Sequence, residues 1–172
     1  MIYTKTGDEG TTALINNQRC SKSDPVFDVL VNLDELNSCL GFLHIYKNDD
    51  VVKLVKNIQR DLLLLGSHIA GNTADLSIWE DKCLVFEKVI DIYESKLEEL
   101  HNFILPGGSL FASYMSLARA TCRRLERSMV KYQSRKEYLM YINRLSDLLF
   151  ILARYINKLE EMPDSIWRGE IN

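Results

Sequence analysis

The stretch YLMYINRLSDLLFILARY, residues Tyr138–Tyr155, decides the fold because it is apolar around nearly its whole helical circumference. Its apolar residues recur at alternating steps of three and four from Ile142 to Leu159, which is the spacing of a helix face. A helix of this kind must be buried on several sides. We therefore expect it to contact more than one neighbour, and we expect a homo-oligomer.

Four further stretches show the same spacing, and each predicts one helix with an apolar face. They run from Val29 to Leu43, from Val51 to Ile69, from Phe86 to Ile104 and from Phe111 to Met129. Alternating steps of three and four favour packing at shallow angles, and short connections favour antiparallel neighbours. The sequence therefore predicts an all-α fold, a five-helix antiparallel bundle preceded by an irregular N-terminal segment.

The length of 172 residues predicts a single domain, residues 1–172. We divide it into an N-terminal segment of residues 1–24, a helical bundle of residues 25–160 and a tail of residues 161–172. The longest break between the predicted helices, Gly71–Lys82, is expected to be a polar loop.

A second break, LPGGS at residues 105–109, reads as a helix-breaking turn. Ser109 at its end is the expected N-cap of the fourth helix, because its hydroxyl can accept a hydrogen bond from a backbone N–H of the first turn.

Composition excludes several classes of function. The net charge is −3, with 26% charged and 47% hydrophobic residues, so we expect no nucleic-acid partner. No stretch approaches the roughly 20 apolar residues that span a bilayer, and no leader is recognisable, so we expect a cytoplasmic protein without a membrane partner. The four cysteines and three histidines are dispersed, so we expect no protein-ligated transition metal.

Polar side chains border the apolar faces of the last two helices. Arg119, Arg123 and Glu126 form a stripe on the fourth helix, and Asn143, Asp147 and Arg154 form a similar line on the fifth. Two interpretations fit this spacing. The stripe is either a solvated face whose ion pairs contribute tenths of a kcal/mol, or a set of guanidinium groups that bind phosphate.

The opening stretch TKTGDEGTT, Thr4–Thr12, also has two interpretations. Its threonines, lysine and glycines suit a loop that wraps phosphate oxygens, yet the same residues make a tight turn without any ligand. It matches neither the P-loop nor the dinucleotide fingerprint. Together with Lys22 and the arginine stripe it would supply enough positive charge for a triphosphate, if folding or assembly brings them together.

Six blocks, in order, carry a family resemblance. IYTKTGDEGTT, KSDP, LDELNSCLG, FILPGGS, ARATCRRLER and INRLSDLLFILAR occur in this order and at these separations in the PduO-type ATP:cob(I)alamin adenosyltransferases, which the chain closely resembles from Ile2 to about Arg154. The resemblance implies a homotrimer of five-helix bundles with ATP bound between subunits. It also implies transfer of the 5′-deoxyadenosyl group of ATP to the cobalt of cob(I)alamin, with release of triphosphate and formation of adenosylcobalamin.

The resemblance implies an ATP site, and it implies that Mg²⁺ accompanies ATP. The ATP-binding residues would be Thr4, Lys5, Thr6, Gly7, Asp8, Gly10, Thr12, Lys22, Arg123, Glu126, Arg127 and Asn143. Glu126 and Asn143 would handle Mg²⁺ or its water ligands, since magnesium takes oxygen ligands together with substrate phosphates. Cobalamin is a substrate, and cob(I)alamin is itself the nucleophile, so no side-chain nucleophile is needed.

Three residues match the family's catalytic positions. Asp34 and Arg119 match a pair that joins the first helix of one subunit to the fourth helix of another. Phe103 matches the aromatic beneath the corrin, which displaces the lower axial base of cob(II)alamin so that a reductase can reduce the cobalt. Asp34 and Phe103 would thus also contact cobalamin.

The chain departs from the family at three positions: members usually have glycine at Asn17 and Val31 and commonly histidine at Ser116. Two alternatives to catalysis stay open. One is a helical interaction protein whose arginines pair with acidic residues of a neighbour and which binds no MgATP. The other is a nucleotide-sensing or cobalamin-delivery protein that binds MgATP but forms no adenosyl–cobalt bond.

Overall fold

The computed structural model describes residues 3, 5–72 and 75–169. Within them lie five α-helices and a short 3-10 helix, Phe42–Ile45. The helices are α1 Pro25–Gly41, α2 Asp49–Ile69, α3 Ser77–Glu94, α4 Leu110–Lys131 and α5 Lys136–Leu159. The all-α prediction is confirmed.

Four short strands form two antiparallel pairs. β1, Thr11–Ala13, pairs with β2, Arg19–Ser21, and β3, Ile104–Leu105, pairs with β4, Ser165–Ile166. The first pair belongs to the N-terminal segment. The second joins the connection before α4 to the tail of the chain.

Helix α5 is the centre of the bundle, where it packs on both α4 and α3. Leu145, Leu148, Ile151 and Ala153, which together span more than half of its circumference, are all buried. The apolar surface of α5 is therefore buried by helices of the same chain. It gives no argument for a second copy, so the expected homo-oligomer needs other support.

Helix direction follows from the side chains that meet between the helices. Phe42, at the end of α1, stacks on Tyr114 near the start of α4, so α1 and α4 run antiparallel. In α3 and α5, Trp79 meets Tyr138 near both starts, and Tyr93 stacks on Tyr155 near both ends, so this pair runs parallel. The connection from α3 to α4 therefore crosses the end of the bundle.

Two predicted boundaries of the third helix were wrong. Gly71–Lys82 is only partly a loop, because α3 begins at Ser77, where Asp75 accepts hydrogen bonds from the Ser77 N–H and hydroxyl. Trp79 extends the apolar face and is fully buried. At the other end α3 stops at Glu94. Residues 97–104, which were predicted to extend its apolar face, are not helical.

Ser109 caps α4 as predicted, since its hydroxyl accepts from the Ala112 N–H at 3.3 Å. None of the described helices combines the length and apolarity needed to cross a membrane.

A polar cluster ties α2, α3 and α5 together. Lys82 Nζ lies 2.6 Å from Asp61 Oδ1, and the Tyr141 hydroxyl donates to Asp61 Oδ2 at 3.1 Å. Burial, reinforced by the neighbouring Asp61, raises the pKa of the Tyr141 phenol well above its ordinary value. Asp61 thus satisfies one cation and one buried hydroxyl at the same time.

We expect Asp61→Ala to lower the free energy of unfolding by about 2 to 3 kcal/mol, because Lys82 and Tyr141 lose their common acceptor. Urea unfolding followed by circular dichroism measures this. The control is Glu99→Ala, which removes an exposed carboxylate 3.9 Å from His101 and should cost about 1 kcal/mol or less. Equal losses in the two variants would contradict the assigned role of Asp61.

Candidate functional site

The N-terminal segment forms a compact loop closed by the β1–β2 pair. The Asp8 N–H donates to the Lys5 carbonyl at 3.4 Å, and the Gly10 N–H donates to the Gly7 carbonyl at 3.2 Å. Lys5 and Gly10 have positive φ, at 60° and 79°. This folded-back backbone is what a phosphate-wrapping loop requires, and a tight turn requires it equally.

Two cations hold the loop in place. Lys22 Nζ donates to the Gly7 carbonyl at 2.8 Å, and Arg19 Nη2 donates to the Thr6 carbonyl at 2.7 Å and to the Thr11 hydroxyl at 2.5 Å. Lys22 was expected to face phosphate, and in the structure it braces the loop. Arg19 was missed, because its contacts with Thr6 and Thr11 depend on the register of the β1–β2 pair, which was not predicted from the sequence.

The other residues predicted for the loop differ in burial and pairing. Gly7 is half-buried, and a Cβ there would lie 3.1 Å from Lys22 Nζ. Asp8 is exposed, Thr12 is paired with Cys20 in the β1–β2 ladder, and Thr4 lies outside the described residues. Asn17 adopts φ 62°, a conformation that asparagine tolerates in place of glycine.

The polar stripe predicted on α4 continues onto α5. We call the following side chains the row: Arg119, Arg123, Glu126, Arg127 and Asn143. Asn143 Nδ2 donates to Glu126 Oε1 at 3.0 Å, which joins the two helices. Arg123 and Arg127 are exposed and make no hydrogen bond or ion pair with any described residue. Arg124 points to another side, where it pairs with Glu35 of α1. The row therefore offers two unpaired guanidinium groups beside a carboxylate–amide pair.

Arg119 and Phe103 lie on one cleft of about 370 Å³. The Arg119 guanidinium lies 5.4 Å from the centre of the Phe150 ring, and Ser116 lines the same cleft. Phe103 projects from the connection before α4 with 79% of its surface exposed. An aromatic so exposed contributes little to the core, and it is available to a ligand.

Asp34 lies elsewhere. It is exposed on α1 and forms no hydrogen bond or ion pair within the part of the chain that the structure describes. It does not line the cleft of Phe103 and Arg119. Val31, one turn earlier, is exposed within an unbroken helix, so its departure from the family's glycine leaves the local path regular.

No described cysteine or histidine makes a nucleophilic site with the row. Cys122 is buried beneath it, its Sγ 3.4 Å from the Ile142 carbonyl oxygen, and burial raises the pKa of the thiol far above its ordinary value. Among the described residues, no group of three or more His, Cys, Asp or Glu side chains could hold a metal ion.

Comparison with known proteins identifies the family of the chain. Residues 2–156 match the family described as Cobalamin adenosyltransferase. Corrinoid adenosyltransferase MMAB from Bos taurus is 36% identical over 97% of this chain and 76% of its own length. Corrinoid adenosyltransferase PduO from Citrobacter freundii is 38% identical over 89% of the chain, which spans only 49% of that protein.

A solved structure is similar over nearly its whole length. It is a phenylalanine-to-histidine variant of a PduO-type ATP:corrinoid adenosyltransferase from Lactobacillus reuteri, complexed with cobalamin and ATP. Its TM-score is 0.92 at 33% identity, over 98% of this chain and 97% of that one. By fold and by relatives the protein is an enzyme of the transferase class. It belongs to the cobalamin adenosyltransferase family, which confirms the resemblance drawn from the six sequence blocks.

Arg19 should control the order of the loop. In Arg19→Met, we expect amide hydrogen exchange in residues 5–11 to accelerate by about tenfold or more, because hydrogen bonds to a charged donor contribute about 1.5 to 3 kcal/mol each. Mass spectrometry of peptic fragments measures it. Arg60→Met is the matched control, since Arg60 donates only to Asn57 within α2. Unchanged exchange in Arg19→Met would rule out its bracing role.

Proposed function

We propose that the protein is an ATP:cob(I)alamin adenosyltransferase. The electron pair of Co(I) attacks C5′ of ATP, a cobalt–carbon bond forms, and the bond between C5′ and the triphosphate oxygen breaks. Triphosphate leaves with that bond's electron pair, and adenosylcobalamin is the product. The observation that carries the proposal is the cleft shared by Phe103 and Arg119, because Arg119 also begins the row of side chains that suits a nucleotide.

The triphosphate of ATP is assigned to the loop and the row. Backbone N–H groups of the loop, Lys22 and the unpaired Arg123 and Arg127 supply the donors and the positive charge that its oxygens need. Arg123 and Arg127 make no hydrogen bond or ion pair with the described residues of the loop. We propose that the loop of one subunit and the arginines of another complete the site, as in a homotrimer with ATP between subunits.

Mg²⁺ would accompany ATP at the Glu126–Asn143 pair. The hydrogen bond between them uses the Asn143 amino group and one carboxylate oxygen, so the other carboxylate oxygen and the Asn143 carbonyl oxygen stay available. Oxygen ligands of this kind suit Mg²⁺ bound mainly to phosphates. The ion would neutralise charge on the leaving triphosphate.

Catalysis would come from positioning and charge stabilisation rather than from a protein nucleophile. Arg123, Arg127 and Lys22 would stabilise the charge that develops on triphosphate, and the cleft would hold cobalt in line with C5′. Phe103 would lie beneath the corrin and displace the lower axial base of cob(II)alamin. The four-coordinate cobalt is then easier for a reductase to reduce.

Asp34 and Arg119 are proposed to pair between subunits. Among the described residues, Asp34 and Arg119 make no hydrogen bond or ion pair; Asp34 is exposed, and the Arg119 guanidinium lies over the Phe150 ring. Each would gain an oppositely charged partner in the trimer. The cytoplasmic location and the reductase partner remain predictions.

An anaerobic assay with MgATP and chemically reduced cob(I)alamin tests the function. We expect the absorbance of light-sensitive adenosylcobalamin to appear together with stoichiometric triphosphate. Binding of MgATP without product would favour a delivery or sensing protein. Failure to bind MgATP would favour the interaction protein.

The intersubunit pair predicts a charge-reversal pattern. Asp34→Arg and Arg119→Asp should each raise the protein concentration needed for assembly by about 100-fold, close to 3 kcal/mol, and the double variant should recover most of it. Sedimentation velocity measures the assembly. Asp28→Arg on the same helix is the control and should assemble normally. Additive losses in the double variant would contradict the pair.

A further inference from the structure

The connection between α3 and α4 holds Phe103 although it contains no helix. Two side chains of α5, Arg154 and Asn157, bind it at its two ends. They are 5% and 6% exposed, so both are buried polar groups whose hydrogen bonds must be satisfied. We call residues 98–109 the Phe103 segment.

Arg154 binds the upstream end and the tail at the same time. Its Nη2 donates to the Glu98 carbonyl at 2.7 Å, and its Nε donates to Asp164 Oδ2 at 2.7 Å. The planar guanidinium makes both bonds in a fixed relative orientation. Arg154 therefore fixes the start of the Phe103 segment relative to the first residues of the tail.

Asn157 binds the downstream end. Its Nδ2 donates to the Gly107 carbonyl at 2.9 Å, and its Oδ1 accepts from the Ser109 N–H at 2.9 Å. Gly108 lies between them with φ 99°, and a Cβ there would approach the Asn157 amide to between 2.3 and 2.6 Å. This close contact locks the point where the segment enters α4.

The tail then contacts Phe103 itself. The Trp167 N–H donates to the Phe103 carbonyl at 2.8 Å, directly after the β3–β4 pair. The Trp167 ring meets the Phe103 ring edge to face, with centroids 6.2 Å apart. Phe103 and Trp167 therefore lie on the two segments that Arg154 joins, the Phe103 segment and the tail.

We propose that Arg154, through Asp164 and the tail, is a positioning residue that sets the orientation of Phe103 in the cleft. The inference rests on the proposed function, in which Phe103 acts on cob(II)alamin. Arg154 and Asp164 line the same cleft, but the Arg154 side chain is almost wholly buried and donates to Asp164 and to the Glu98 carbonyl. We therefore assign Arg154 an action through the two segments that it joins. The tail is by this account part of the catalytic apparatus.

A positioning role for Arg154 predicts different effects on the reaction that starts from cob(II)alamin and on the one that starts from cob(I)alamin. If the arrangement serves to orient Phe103, its loss should affect the reaction that starts from cob(II)alamin, in which the lower base must be displaced. Transfer from chemically reduced cob(I)alamin should be affected little. A merely structural role for Arg154 would lower both rates together.

The test uses Asp164→Ala and Trp167→Ala, each removing one link between Arg154 and Phe103. We expect turnover from cob(II)alamin with a reducing system to fall by about 10- to 100-fold, the loss caused by a misplacement of about 1 Å, while the KM for ATP stays within about twofold. Electron paramagnetic resonance should show less four-coordinate cob(II)alamin. The controls are Glu99→Ala and Met162→Ala, which remove exposed side chains nearby.

A double variant shows whether the effect passes through Phe103. Asp164→Ala should reduce turnover from cob(II)alamin little further when Phe103→Ala is already present, because the group being positioned is gone. Independent, multiplicative losses would overturn the proposal. So would equal losses with cob(I)alamin and cob(II)alamin in both single variants.

A second measurement does not depend on activity. With 4-fluorophenylalanine at position 103, we expect one dispersed ¹⁹F resonance in the parent protein and in Glu99→Ala. The resonance should shift towards that of the free amino acid in Trp167→Ala and in Arg154→Lys, which keeps the charge but not the planar fork. An unshifted resonance in these variants would overturn the positioning role even if the parent protein formed no adenosylcobalamin.

Discussion

The burial of α5 is the constraint on which the rest of the structure depends. A helix this apolar cannot face water on more than a narrow strip, so α3 and α4 must both cover it. The end of α3 and the start of α4 lie at the same end of the bundle, but each of these helices packs on α5 rather than on the other. The connection must cross the end of the bundle, and that crossing carries Phe103 to the cleft.

The few polar side chains of α5 mark the places where this buried helix meets the candidate site. Asn143 joins the row through Glu126, Arg144 pairs with Glu87 of α3, and Arg154 binds the connection and the tail. The buried Arg154 must have partners, because desolvation without them is costly, whereas Asn143 and Arg144 are more exposed. Satisfying Arg154 fixes the connection and the tail together, so at this point stability and site geometry have one physical origin.

Sequence reasoning succeeded where side-chain periodicity determines structure. The apolar faces of four helices and the Ser109 cap follow from spacing and local chemistry. It failed where distant segments meet: the pairing of Ile104–Leu105 with Ser165–Ile166 has no local signal, and the bond from Arg19 to Thr6 depends on hairpin register. The site itself was recognised mainly through family blocks, since one arginine stripe fits a solvated face equally well.

The β3–β4 pair has a consequence for the order of folding. It closes a loop that contains all of α4 and α5, yet it consists of two short, largely exposed strands. Loop-closure entropy for so long a loop is recovered only after the two enclosed helices have packed. We therefore expect the pair to form after α4 and α5 have packed, and to open locally while the helical core remains folded.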